Sequence, residues 1–180
     1  MKGSTLDIVK GLFDKLQEVP DIVSAFEHRE STAMQLWLQW LETSEKLLKE
    51  QGFAECAAVA GIRADVLVYL SEKQTRKEKF IAVLKTVNAA QTLLLEKYKT
   101  LEEKVENVRV FLKQVLTQIN DAGILNYDEN TDFTAFINSV FEQMKNNAQL
   151  SGSIHNAVAT IGKTDVLRLI AETLTQLKSE

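Results

Sequence analysis

The segment AVATIGKT, residues 157–164, fits a loose phosphate-loop pattern, in which a small residue precedes four others and then Gly-Lys-Thr. Such a loop binds nucleotide phosphates because a buried β-strand delivers a glycine-rich turn to the start of a helix, where amides and a lysine surround them. The residues before this segment, SGSIHN, are polar and short, and the sequence contains no strand-like run with a magnesium-binding acid. We therefore predict a helix-to-helix junction, in which Gly162 ends one helix, Thr164 caps the next and Lys163 lies in solvent.

Acids and amides alternate between Asn126 and Asp132, and their oxygens are of the kind that coordinates calcium. With either Asn126 or Asp128 as the first ligand, the glycine and the bidentate glutamate that a calcium loop requires are absent. We expect a hydrated loop in which Thr131 or Asp132 caps the following helix.

The two histidines and the single cysteine are the remaining candidates for metal or nucleophilic chemistry. His28 and His155 lack the Glu-x-x-His spacing of helical di-iron sites. Cys56 lies among alanines without a disulfide partner, which indicates a small buried residue in a reducing compartment. The sequence predicts no catalytic residue, metal or cofactor, and we expect a protein that is not an enzyme.

The chain carries a net charge of −4, and the acid excess lies in its second half. Nucleic acid is an unsuitable partner because its binding requires a concentrated basic face. The densest basic stretch, residues 73–79 (KQTRKEK), is interrupted by Glu78 and is interpreted as a solvated helix start. No apolar run has the length of a signal peptide or a membrane span, so we predict a cytoplasmic protein with no membrane partner.

One proline and seven glycines leave too few turn residues for a β-fold, and the sequence predicts an all-α, multi-helix bundle. Thr32 with Gln35 forms a capping pair for one helix, and Pro20 is expected to end an earlier helix or open the next. The small residues at Ala57, Ala60, Gly61 and Ala64 are interpreted as a surface that a neighbouring helix approaches closely.

The longest predicted helix follows a cap at Thr75 and Glu78 and spans about residues 76–121. Its length would be about 69 Å at 1.5 Å per residue, longer than a domain of this size is wide. The alternative is a helical hairpin broken near Lys99, with Thr100 and Glu103 as a second cap; one long helix is favoured. The chain is then a single domain, 1–180, or two small lobes, 1–98 and 105–180, that share this helix.

A heptad-like seam runs along the predicted long helix, with steps of four and three residues. Its members are Phe80, Leu84, Val87, Gln91, Leu94, Tyr98, Leu101, Val105, Val108, Leu112, Val115 and Ile119. Around Tyr98, Leu101, Val105 and Val108 the apolar stripe is narrow and flanked by charges, as in a coiled coil. We therefore predict a protein-interaction or scaffold module that pairs through these residues with a copy of itself or with another protein's helix.

A second hypothesis concerns the aromatic residues that recur at helical spacing. A small apolar ligand could lie between the helix that carries Trp37 and Trp40 and the helix that carries Phe136 and Phe141. The protein would then be a helical-bundle sensor, and this function is kept as the alternative.

Overall fold

The computed structural model describes residues 3–73, 75–125 and 132–177. Within these ranges the chain forms seven α-helices and no strand, which confirms the all-α prediction. In chain order they are α1 (Thr5–Glu27), α2 (Ala33–Glu50), α3 (Glu55–Ser71), α4 (Arg76–Asp121), α5 (Phe133–Asn146), α6 (Ser151–Ile161) and α7 (Lys163–Leu177). None of these described helices combines the length and hydropathy that crossing a bilayer would require.

The helix α4 is continuous over 46 residues, which confirms the favoured prediction of one long helix and excludes the alternative hairpin with a break near Lys99. The hydroxyl of Thr100 donates to the carbonyl oxygen of Glu96 at 2.9 Å, so it bonds back to the preceding turn inside the helix. At the true start of α4 the predicted cap is confirmed: the amide and hydroxyl of Thr75 donate to Glu78 Oε2 at 2.8 and 2.7 Å.

The chain divides into two compact units, and α4 contributes residues to both. Unit 1 consists mainly of Asp7–Thr100, whereas unit 2 combines Ser4–Leu6 with the chain from Leu101 onward. The buried residues of unit 1 come from all four of its helices, and the larger apolar ones are Ile8, Leu12, Val19, Ile22, Phe26, Trp37, Trp40, Leu41, Leu48, Val59, Val66, Val83, Val87 and Leu94. Those of unit 2 include Leu112, Leu116, Val140, Phe141, Ile154, Val166, Leu169 and Ile170.

Pro20 lies inside α1, and the prediction that it ends or begins a helix is wrong. Val19 and Ile22, on either side of it, are buried, as are Leu12 earlier in the helix and Phe26 near its end. We infer that this continuous buried face offsets the cost of about 3 kcal/mol that proline imposes inside a helix.

Helix α3 is rich in apolar residues but buries only Val59 and Val66 among its described residues. Of the small residues, Ala57, Gly61 and Ala64 are exposed and Ala60 is half-buried. A methyl group added at Gly61 would contact nothing within 4 Å. The prediction that a neighbouring helix of this chain packs there is wrong, because α3 presents its opposite side to the core.

Candidate functional site

The predicted interaction residues of the seam are covered by this chain itself. Leu101, Val105 and Val108 are 9%, 3% and 6% exposed without any partner molecule. Tyr98 is half-buried, with its ring centroid 5.9 Å from that of Phe13. The seam is therefore filled at these positions, and a second chain is not needed to bury them.

The seam is open to solvent at its N-terminal end. Leu84 is 42% exposed, and the neighbouring Ile81 is 50% exposed. From Val87 onward the seam's apolar positions are buried or half-buried. The first three turns of α4 therefore present large apolar side chains that the chain leaves uncovered.

These side chains line a cleft between the end of α1 and the start of α4, both in unit 1. The cleft has a volume of about 450 Å³ and is lined by Phe26, Glu27, Arg29, Arg76, Lys77, Phe80, Ile81 and Leu84. Its floor is aromatic: the rings of Phe26 and Phe80 meet edge to face, with centroids 5.4 Å apart and an interplanar angle of 76°. We call this feature the α1/α4 cleft.

Three cations, Arg29, Arg76 and Lys77, surround the α1/α4 cleft together with one acid, Glu27. The Arg76 guanidinium lies 5.6 Å from the centroid of the Phe80 ring, and it donates to the carbonyl oxygen of Arg29 at 3.1 Å. All three cations are exposed, and Arg76 has these contacts within the chain. The cleft combines an apolar floor with a positive edge on an acidic protein.

Arg29 has an unusual backbone conformation, with a φ of 55°. It ends α1 in the left-handed position that glycine usually takes, and the amide of Glu30 donates to the carbonyl oxygen of Ala25 at 3.0 Å. This conformation costs a residue with a Cβ atom about 1 kcal/mol relative to glycine. The chain thus carries a cation at the edge of the cleft where glycine would favour folding.

Two glutamates of unit 1 have lowered pKa values. Hydrogen bonds from the side chain and the backbone of Thr75 lower the pKa of Glu78, at the start of α4. A hydrogen bond from Lys97 is the main cause of the lowered pKa of Glu55, at the start of α3. Both carboxylates are accounted for by a helix cap or an ion pair, so neither has the raised pKa of a general acid.

The aromatic residues of the ligand hypothesis lie in different units. In unit 1, Trp37 and Trp40 are buried and stacked, with centroids 4.8 Å apart. Their indole N–H groups donate to Thr86 Oγ1 at 3.0 Å and to the carbonyl oxygen of Lys15 at 2.8 Å. In unit 2, Phe141 is buried and Phe136 is half-buried. Packing within each unit accounts for these residues, and the apolar ligand stays a prediction.

The phosphate-loop pattern lies at a junction between α6 and α7. Gly162 ends α6 with a φ of 94°, as predicted. Helix α7 begins at Lys163, so the prediction that Thr164 caps it is wrong, because Thr164 is already inside its first turn. Lys163 is exposed, with Nζ 4.9 Å from the centroid of the Phe141 ring and 3.5 Å from Glu142.

The two histidines, which were candidates for metal or nucleophilic chemistry, lie against carbonyl oxygens of their own helical turns. Nδ1 of His28 lies 2.8 Å from the carbonyl oxygen of Ser24, and Nδ1 of His155 lies 2.7 Å from that of Ser151. Cys56 is half-buried, not fully buried as predicted.

The sequence predicted no metal site, and the calcium-like stretch was interpreted as a hydrated loop. The described ranges contain no group of three or more His, Cys, Asp or Glu residues that could hold a metal ion. Most of the calcium-loop candidate, residues 126–131, lies outside the described residues, whereas Asp132 caps α5 by accepting from the amide of Thr134 at 3.2 Å.

The sequence contained part of the signal for the α1/α4 cleft. Phe80 and Leu84 belong to the seam, and Ile81 widens it, but the basic stretch beside them was interpreted only as solvated surface. Phe26 and Arg29 have no sequence signal that joins them to α4, because the fold brings them there. The chain matches no protein-family model, no curated protein and no solved structure.

Proposed function

We propose that this protein is a non-enzymatic interaction module that binds a helix of another protein in the α1/α4 cleft. The observation that carries the proposal is the exposure of Ile81 and Leu84 at the end of a seam that is otherwise largely covered. Elsewhere along α4, buried seam residues lie within a helical bundle. An additional helix is therefore the element that would extend the same packing over the two exposed residues.

The shape of the α1/α4 cleft also favours a helix over a small molecule. Small-ligand sites enclose most of the ligand surface, whereas side chains that are about half exposed leave this cleft open along one side. Lys77, Phe80, Ile81 and Leu84 are spaced as successive turns of one helix face. Such a face fits a partner helix that presents apolar residues at i, i+3, i+4 and i+7.

The α1/α4 cleft lies at the start of α4, away from the middle of that helix. Pairing through Leu101, Val105 and Val108 would require the residues that cover them to separate first. Burying Ile81 and Leu84 requires no such opening, because both already face solvent.

Site-specific photo-cross-linking in the native cells tests this proposal. A photoreactive amino acid replaces Leu84, and a control replaces Leu36, which is 41% exposed on α2 and does not line the cleft. We expect adducts from position 84 alone, mapping to one helical segment of another protein. A synthetic peptide of that segment should bind the wild type and Leu36→Glu but not Leu84→Glu. Equal adducts at both positions, or none at position 84, would contradict the proposal.

A further inference from the structure

We infer that the helix bound in the α1/α4 cleft is acidic along the edges of its apolar face. This inference rests on the proposed function and adds the chemistry of the partner to it. It depends on the three cations at the cleft, Arg29, Arg76 and Lys77, which outnumber the single acid, Glu27. Because the whole chain carries a net charge of −4, this positive edge runs against its overall charge.

The three cations line the cleft beside its apolar floor and are exposed to solvent. The Arg76 guanidinium lies over the Phe80 ring and donates to the carbonyl oxygen of Arg29, and these two contacts place its charge beside the aromatic floor. The exposed side chains of Arg29, in the turn after α1, and of Lys77, in the first turn of α4, both line the cleft. A helix whose apolar stripe covers Ile81 and Leu84 would bring its flanking positions close to these charges.

Charge complementarity decides which helices are accepted. Aspartate or glutamate at the flanking positions would pair with the cations of the cleft. Lysine or arginine there would be repelled by these cations and would also lose part of its hydration. The backbone of Arg29 supports the same inference, because a cation occupies a left-handed position where glycine would be less costly. The cleft therefore selects acidic amphipathic helices.

A displayed peptide library tests this inference with the full chain as bait. The library holds helices of about five turns with a fixed leucine and phenylalanine stripe and flanking positions randomised among acidic, basic and neutral residues. We expect clones selected on the wild type to carry an excess of acid on their flanks. Their binding should fall about tenfold or more on Leu84→Glu bait and stay unchanged on Leu36→Glu bait.

Charge reversal gives the decisive comparison. The bait that carries both Arg29→Glu and Lys77→Glu should select peptides with basic flanks. The affinity of the acidic clones for wild-type bait should fall with added salt, since salt screens charges over about 10 Å at 0.1 M. Leu84-dependent clones without an acidic bias would overturn this inference and leave the proposed function standing. An absence of Leu84-dependent clones would contradict both.

A membrane surface is the competing partner that the same cations could serve. Sedimentation with vesicles of phosphatidylcholine and phosphatidylglycerol separates the two. We expect the wild type to remain in the supernatant. If the wild type sedimented with the vesicles and both Leu84→Glu and Lys77→Glu abolished this, the cleft would bind anionic lipid and the inference would be overturned. Circular dichroism of each variant verifies that it is folded, as expected for substitutions at exposed positions.

Discussion

The carboxylate of Asp165 in α7 caps the start of α1, accepting a hydrogen bond from the amide of Thr5 across 160 residues of sequence. The same carboxylate accepts from the amide of Leu6 at 3.3 Å and from the hydroxyl of Ser4 at 2.6 Å. Since Asp165 is buried, these donors receive in the fold the acceptor that water would otherwise supply. The short segment Ser4–Leu6 is thereby attached to the rest of unit 2.

Replacing Asp165 with alanine should destabilise the protein by about 2 kcal/mol, because part-buried donors lose their acceptor. Urea denaturation followed by circular dichroism measures this loss. Asp165→Asn retains one acceptor oxygen and should cost less than Asp165→Ala. The exposed neighbour Thr164 provides the control, and Thr164→Ala should change stability by less than about 0.5 kcal/mol. An Asp165→Ala protein as stable as that control would contradict the capping role.

The ion pair between Glu55 and Lys97 should make a small part of the stability depend on pH. Lys97 Nζ lies 2.9 Å from Glu55 Oε1, and this hydrogen bond lowers the pKa of Glu55 below its ordinary value of 4.5. A lowered pKa means that the folded chain favours the charged carboxylate. The stabilisation is therefore complete above pH 4.5 and is lost as the pH falls through the lowered pKa.

The variant Glu55→Gln tests this dependence. It should cost about 0.5 kcal/mol at pH 7, a value typical of partly exposed ion pairs. At pH 3 the difference from wild type should shrink. Thermal unfolding at the two pH values measures the difference, and a cost that is the same at both would show that the charge of Glu55 does not stabilise the fold.

Substitution within the buried seam distinguishes packing in one chain from pairing between chains. Val105→Glu places a carboxylate in a site that this chain already buries and should cost about 3 kcal/mol or more. Val110→Glu, on the same helix but exposed, is the matched control and should cost less than about 0.5 kcal/mol. If Val105→Glu remained folded and lowered the oligomer mass in light scattering, the seam would be an interface between chains.

The spacing of apolar residues along a helix predicts which residues are covered, but not which molecule covers them. The spacing of Leu101, Val105 and Val108 indicates that these residues are covered, but a helix of the same chain and a helix of a partner satisfy it equally. The narrow apolar stripe with charged flanks was interpreted as a sign of a partner. Burial in the folded chain depends on tertiary packing, which no local pattern contains.

The helix caps show the same division between local and distant information. Thr75 and Glu78 were predictable, because the whole motif lies within four residues at a true helix start. The pair at Thr100 has the same letters but lies inside α4, and Thr32 at the start of α2 makes no side-chain capping bond. The cap from Asp165 could not be predicted, since nothing near Thr5 in sequence indicates it.

Gly61 should accept alanine with a gain in stability. It lies in the middle of α3 on the exposed side, where an added methyl group would contact nothing within 4 Å. Gly61→Ala should therefore stabilise the protein by about 1 kcal/mol, the difference in helix propensity between the two residues. Gly52→Ala is the opposite control, because its φ of 70° disfavours alanine and should make that variant less stable. Chemical denaturation of both variants gives the comparison, and a Gly61→Ala protein that is less stable than wild type would contradict the open geometry.

Arg29 should show a conflict between stability and binding. Arg29→Gly relieves the left-handed backbone at a φ of 55° and should raise stability by up to about 1 kcal/mol. Arg29→Ala removes the same charge but keeps a Cβ atom, so it should be less stable than Arg29→Gly by a similar amount. Both should weaken acidic peptides at the α1/α4 cleft to the same extent, because both lose one edge cation.

Thermal unfolding and peptide affinity, measured on the same two proteins, separate these effects. A matched loss of affinity despite unequal stability would mean that the charge of Arg29, and not the rigidity of the α1 end, attracts the acidic helix. If Arg29→Gly instead proved less stable than wild type, the side chain of Arg29 would contribute more to packing than its backbone costs. In that case the cation would be explained by folding alone, and it would no longer support the selection of acidic partners.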